Sequence, residues 1–135
     1  MRIAVVSAPA QRKKTPDYVE ALAKGMEQMG HRVDIVDAWT DDGMRLPGYE
    51  YITIVAEPVS IFSGKIIANI AKVLSAGSSL VGRKGAAFVK KSGLFTNKAL
   101  ANVMKAMEKE GMRVNWSDIL LNAPHAQAMG KYIGA

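Results

Sequence analysis

Apolar residues in this chain gather in short blocks. Ile3-Ala4-Val5-Val6, Tyr51-Ile52-Thr53-Ile54-Val55-Ala56 and Gly85-Ala86-Ala87-Phe88-Val89 are nearly unbroken, a pattern that predicts strands buried on both faces. His31-Arg32-Val33-Asp34-Ile35-Val36-Asp37 alternates instead and reads as a half-buried or edge strand. Arg113 to Leu120 predicts one more strand. Between these blocks the spacing becomes helical. Val19, Leu22, Ala23, Met26 and Met29 share one face of a helix that opens at Thr15-Pro16-Asp17. There Thr15 reads as the N-cap, Pro16 suits the first helical position, and Asp17 lies where the helix dipole favours negative charge. Gly30 stands at the left-handed C-cap. A second helix is predicted from Ser63 to Ala76 on Ile66, Ile67, Ile70, Val73 and Leu74, closed by Gly77. In a third, capped by Thr96 and ended by Gly111, Leu100, Val103, Met104 and Met107 form a stripe. Ala123 to Ile133 predicts a short closing helix. Ala38 to Gly48 carries turn chemistry, with Asp41 and Asp42 as turn acids, so a crossover helix there is very short or absent.

Strands alternating with helices of this length pair in parallel through right-handed crossovers. The expected architecture is a three-layer α/β/α sandwich with a five-stranded parallel sheet in the order 2-1-3-4-5. At 135 residues a single domain is expected, able to bury about two-thirds of its unfolded surface. Cysteine is absent, which excludes thiol catalysis and cysteine-ligated metal centres. No apolar run is long enough to span a bilayer and no signal-peptide pattern is seen, so a cytoplasmic location is the default expectation.

The net charge of +6 and pI near 9.7 direct attention to one edge of that sheet. Arg12, Lys13 and Lys14 follow the first strand and Lys90 and Lys91 follow the fourth, so both groups belong to the carboxyl ends of the strands, with Glu57 the acid close by. Such a rim attracts phosphate, a nucleotide or an acidic protein surface; a run of lysines also keeps a loop solvated without binding anything. No helix-turn-helix, zinc or aromatic RNA-reading motif accompanies the charge, and nucleic acid ranks third among the partners. His31 and His125 read as surface residues with no metal-ligand spacing between them. Trp39 and Trp116 suit packing roles, and Lys105, Glu108, Lys109 and Glu110 a solvated helix face.

Two segments carry a family resemblance. Ala56-Glu57-Pro58-Val59-Ser60-Ile61-Phe62-Ser63-Gly64-Lys65, and Gly82-Arg83-Lys84-Gly85-Ala86-Ala87-Phe88-Val89 with Ser92-Gly93 behind it, resemble the loops and strands that hold the cofactor in the flavodoxin-like family. The resemblance covers nearly the whole chain. It implies flavin mononucleotide (FMN) as cofactor, electron transfer or oxidoreductase activity, and a redox or other acidic protein as partner. The flavin then carries the chemistry, with no catalytic side chain. Ser7, Gln11, Arg12, Lys13, Lys14 and Thr15 correspond to the phosphate loop. Pro58, Val59, Ser60, Ile61, Phe62, Ser63 and Gly64 correspond to one ring-binding loop, and Ser92, Gly93, Leu94 and Phe95 to the other, with Phe62 and Phe95 as candidates for stacking. The phosphate loop departs from the family's hydroxyl- and glycine-rich pattern. Ser7 and Thr15 match its ends, but Ala8 to Lys14 hold neither glycine nor hydroxyl, and Pro9 has no N–H. Arg12, Lys13 or Lys14 can replace hydroxyl contacts with charge. The alternative is a flavin-free module of the same fold that binds an acidic partner or other anion through the basic rim. A phosphoacceptor receiver domain is discarded, because it needs paired acids after the first strand, where Ser7-Ala8 stand.

Overall fold

The computed structural model describes residues 1–76 and 79–133. Strands β1 (Arg2–Ala8), β2 (Arg32–Asp37), β3 (Tyr51–Ala56), β4 (Lys84–Lys90) and β5 (Arg113–Leu120) alternate with helices α1 (Asp17–Gln28), α2 (Asn69–Ala76), α3 (Thr96–Lys109) and α4 (Ala123–Gly130). All strand pairs are parallel and the order is β2-β1-β3-β4-β5, as expected. Only a 3-10 turn at Leu46–Gly48 interrupts the loop between β2 and β3. Asp41 and Asp42 there accept from the N–H groups of Gly43 and Met44.

The two faces of the sheet carry separate cores. Ile3, Val5, Tyr51, Val55, Ala86 and Phe88 pack under α1 and α4. On the opposite face Ala4, Val6, Ile52, Ile54, Ala87 and Val89 pack under α2 and α3. Every residue of β3 is buried, which accounts for its unbroken apolar sequence. The edge strand β2 is mostly open to water, which accounts for its alternation. No helix among the described residues is long and apolar enough to cross a membrane.

Helix boundaries differ from the expectations in instructive ways. Pro16, not Thr15, occupies the N-cap of α1, in extended conformation, and its carbonyl accepts from Val19 and Glu20. Pro16 has the φ of a first helical residue but an extended ψ of 151°, so the helix begins at Asp17 and Thr15 lies one position outside the cap. Phe95 is the N-cap of α3. Thr96 turns its hydroxyl back to the loop, where it donates to the Ser92 carbonyl and accepts from the Ser92 N–H. Met29 is the exposed C-cap of α1 rather than part of its buried face. Gly30 and Gly111 do take the left-handed conformation that ends α1 and α3. Helix α2 begins at Asn69, six residues after Ser63. The intervening chain is held by tertiary contacts, the Gly64 carbonyl accepting from Asn102 of α3 and the Lys65 carbonyl from Val59 N–H. Its expected cap, Gly77, lies outside the described residues. Helix α4 ends at Gly130, short of Ile133, and is capped by Asn122, whose side chain accepts from His125 N–H.

Helices α1 and α4 touch backbone to backbone through Gly25 and Gly130. A Cβ on Gly25 would overlap the Gln127 carbonyl, and one on Gly130 would overlap the Leu22 carbonyl. On an exposed helix, glycine to alanine stabilises by about 1 kcal/mol. Here Gly25→Ala should destabilise by about 1–3 kcal/mol, because the added methyl forces the helices apart; urea denaturation measures the sign. Thr53 offers the opposite case, since its hydroxyl is fully buried and has no hydrogen-bond partner among the described residues. Thr53→Val, of nearly the same shape, should raise stability by about 1 kcal/mol in the same assay.

Candidate functional site

Parallel pairing brings the loops after β1, β3 and β4 to one edge of the sheet. Ala8 pairs with Ala56, so β1 and β3 end level and Glu57 leaves β3 beside Pro9 and Ala10. The carboxylate of Glu57 therefore meets the loop after β1. One oxygen accepts from the Ala10 N–H at 3.1 Å, and Lys13 Nζ donates to both oxygens, at 3.2 and 3.0 Å. The Tyr18 hydroxyl, on the first turn of α1, donates to the second oxygen. The loop is fixed from its other side by Trp39, whose indole N–H donates to the Pro9 carbonyl at 3.0 Å.

Burial raises the Glu57 pKa, but hydrogen bonds from Tyr18, Lys13 and Ala10 outweigh it and hold the carboxyl below its usual range. Burial and the neighbouring Glu57 charge push the Tyr18 hydroxyl far up, so it remains a donor at any ordinary pH.

A cleft of about 460 Å³ opens beside this cluster. Ala10, Asp17 and Tyr18 form its β1 side, with Glu57 reaching over from the end of β3. Pro58, Val59, Ser60 and Ile61 form its β3 side, and Lys90, Lys91 and Ser92 its β4 side. The residues expected around a phosphate are distributed differently. Ser7 is buried within β1, while Gln11, Arg12 and Lys14 point to solvent and Thr15 is half-buried outside the cleft. Lys13 reaches in only to pair with Glu57. Asp17 and Tyr18 were missed because the helical pattern marks them only as first-turn residues. Asp17 adds a second acid to an edge where the sequence shows one.

The two loops expected around the ring meet each other. Leu94 N–H donates to the Ile61 carbonyl at 3.3 Å, and Gly93, at φ +67°, lies so close that a Cβ would stand 2.6 Å from the Ile61 Cα. Ser60 and Ser63 form a small bridge within the first loop, and Gly64 packs on the Lys98 side chain. Phe62, Leu94 and Phe95 project outward, 75%, 83% and 41% exposed. A neighbouring cleft of about 440 Å³ includes Lys91, Leu94, Thr96, Asp118 and His125 in its wall. His125 is half-buried rather than fully exposed, and its Nδ1 accepts from Leu121 N–H at 3.2 Å. Among the described residues no three side chains of the His, Asp or Glu type gather as metal ligands.

The Glu57 contacts make a pH dependence. A carboxyl whose folded pKa lies below its unfolded value, about 4.3, adds stability that is fully present above that value and is lost as pH falls through the folded pKa. Urea denaturation at neutral pH and near pH 3 should show this loss, and Glu57→Gln should flatten it.

The chain matches no family model and no curated protein sequence. Its structure matches many solved ones. A flavodoxin from the domain Archaea superposes with a TM-score of 0.72 at 19% identity, over 98% of this chain and 96% of that one. An oxidised flavodoxin 1 from Bacillus cereus gives 0.73 at 14% identity, over 96% and 95%. The flavodiiron protein from Giardia intestinalis gives 0.73 at 12% identity, over 98% of this chain and 35% of that one. With the strand order and the helix placement, these likenesses give the chain the flavodoxin-like fold.

Proposed function

We propose that this chain is a flavin-binding electron carrier that holds the isoalloxazine ring at the carboxyl edge of the sheet, between the Pro58–Gly64 and Ser92–Phe95 loops. The observation that carries this reading is the cluster of exposed apolar side chains on those two loops, Val59, Ile61 and Phe62 on one and Leu94 and Phe95 on the other. Apolar groups gathered beside a cleft mark a ligand or partner surface, and a flat aromatic ring is held by side chains that cover its faces and exclude water.

Flavin mononucleotide has two halves, and the residues suit them unequally. The apolar loops suit the ring. The loop after β1 does not suit a phosphate dianion, because Ala10 N–H and Lys13 Nζ are engaged by Glu57, Pro9 and Pro16 have no N–H, and Asp17 begins α1. The bound flavin supplies the one- or two-electron chemistry. The chain contributes apolar cover from Phe62 and Phe95 and positive charge from Lys90 and Lys91 beside the cleft. The exposed Arg12, Lys14 and Lys91 suit an acidic redox partner, whose approach they would steer. The flavin-free module is the second reading, favoured by the direct contact between the ring loops and by the engaged phosphate loop.

Titration with riboflavin and with FMN, followed by flavin fluorescence at near-physiological salt, separates the two. Saturable quenching by either flavin near or below about 1 μM supports the carrier, and Phe62→Ala with Phe95→Ala should weaken it about tenfold. No saturable quenching by either flavin overturns the carrier and leaves the flavin-free module.

A further inference from the structure

The Glu57 carboxylate has the partners expected of a bound anion. It accepts from a backbone N–H, an ammonium and a phenol, all contributed by the loop after β1 or the first turn of α1. In α/β sheets this is the crevice that receives an anionic ligand group. We propose that Glu57 is an internal anion in this crevice and a specificity-determining residue that turns the cleft against phosphorylated ligands, so that it takes a flavin with an uncharged side chain, of the riboflavin class, in preference to FMN. The choice of flavin rests on the carrier reading above; the exclusion of phosphate from the crevice does not.

Several observations support it. Glu57 is mostly buried, with 15% of its side chain exposed, and because β1 and β3 end level, Ala8 opposite Ala56, its carboxylate reaches the Ala10 N–H. Its two oxygens together accept from the Ala10 N–H, the Lys13 ammonium and the Tyr18 hydroxyl. A phosphate brought to the same donors would meet the Glu57 charge and, at the cleft wall, that of Asp17. Like charges at close range in a partly buried site repel strongly. Lys13 cannot offset both anions, because one ammonium cannot neutralise a carboxylate and a phosphate dianion together; the cleft's other cations, Lys90 and Lys91, stand on its β4 side, with β3 between them and the loop after β1. The exposed Arg12 and Lys14 lie outside the cleft wall. A neutral ribityl chain brings no such charge.

The test compares riboflavin with FMN on the unaltered chain, Glu57→Gln and Glu57→Ala, and adds inorganic phosphate followed by amide NMR shifts. Thermal unfolding verifies that each variant folds. The expected result is that the unaltered chain binds riboflavin at least as tightly as FMN. Glu57→Gln should then raise FMN affinity about tenfold or more while changing riboflavin affinity little. In Glu57→Ala, phosphate should shift the Ala10 and Lys13 amides, which it leaves unmoved in the unaltered chain. If the unaltered chain prefers FMN tenfold or more, the inference is overturned and the carrier stands. If neither flavin binds, the carrier falls, and phosphate alone decides: shifts gained only on loss of Glu57 support the internal anion, and shifts absent from Glu57→Ala, or already present in the unaltered chain, overturn it. Should neither variant fold, the flavin preference and the phosphate shifts of the unaltered chain still decide in the same way.

Discussion

Strands β1, β3 and β4 have almost no water on either face, and the rest of the molecule follows from that burial. A strand covered on both sides needs helices above and below it, and parallel neighbours need crossovers to reach each other. Each crossover returns the chain to the same edge, so the loops after β1, β3 and β4 converge whatever their sequences. A carboxylate that ends one strand can then be held by the loop that ends another, 44 residues away along the chain in the case of Glu57 and Lys13.

The layers were legible because burial on two faces leaves an unmistakable record. Tyr51 to Ala56 contains no polar residue except Thr53, and a central parallel strand tolerates little else. The start of α1 was legible to within a residue: proline announces it, but the residue that takes the cap depends on the proline's own ψ, which is extended here. The helix predicted from Ser63 shows where local pattern stops being sufficient. Ile66 and Ile67 continue the helical spacing of Ile70, Val73 and Leu74, yet the chain leading into them is tied to α3 through the Gly64 carbonyl and Asn102, a contact that only the folded chain contains. The contact between α1 and α4 was equally hidden. Gly25 is an ordinary helix-weakening glycine in sequence, and its reason appears only when Gly130 arrives against it.

The site was legible by position and less so by role. The basic residues after β1 and β4 do lie at the carboxyl edge. Their charges are not equivalent: Lys13 is paired internally, Lys90 lies 5.9 Å from the centre of the Tyr18 ring, and Arg12 and Lys14 face solvent. Net charge therefore overstates what the cleft itself offers an anion. Glu57 and Asp17 lower the potential on the β1 side of the cleft, while Lys90 and Lys91 keep its β4 side positive and Arg12 and Lys14 stand outside its wall.

The far edge of the sheet carries a consequence of its own. Between Gly85 and Ala86 the register of β5 slips by one, so that Asn115 is extra, and the ring of Trp116 stacks on Tyr132 with centroids 5.9 Å apart. A bulge bends and twists the strand that bears it. An exposed strand is a template on which another sheet can grow. Here the template is interrupted by the bulge, and Arg113 and Asp118 add charges that an incoming strand would have to desolvate. At the β5 edge the sheet is thus a poor template for another strand by its own geometry.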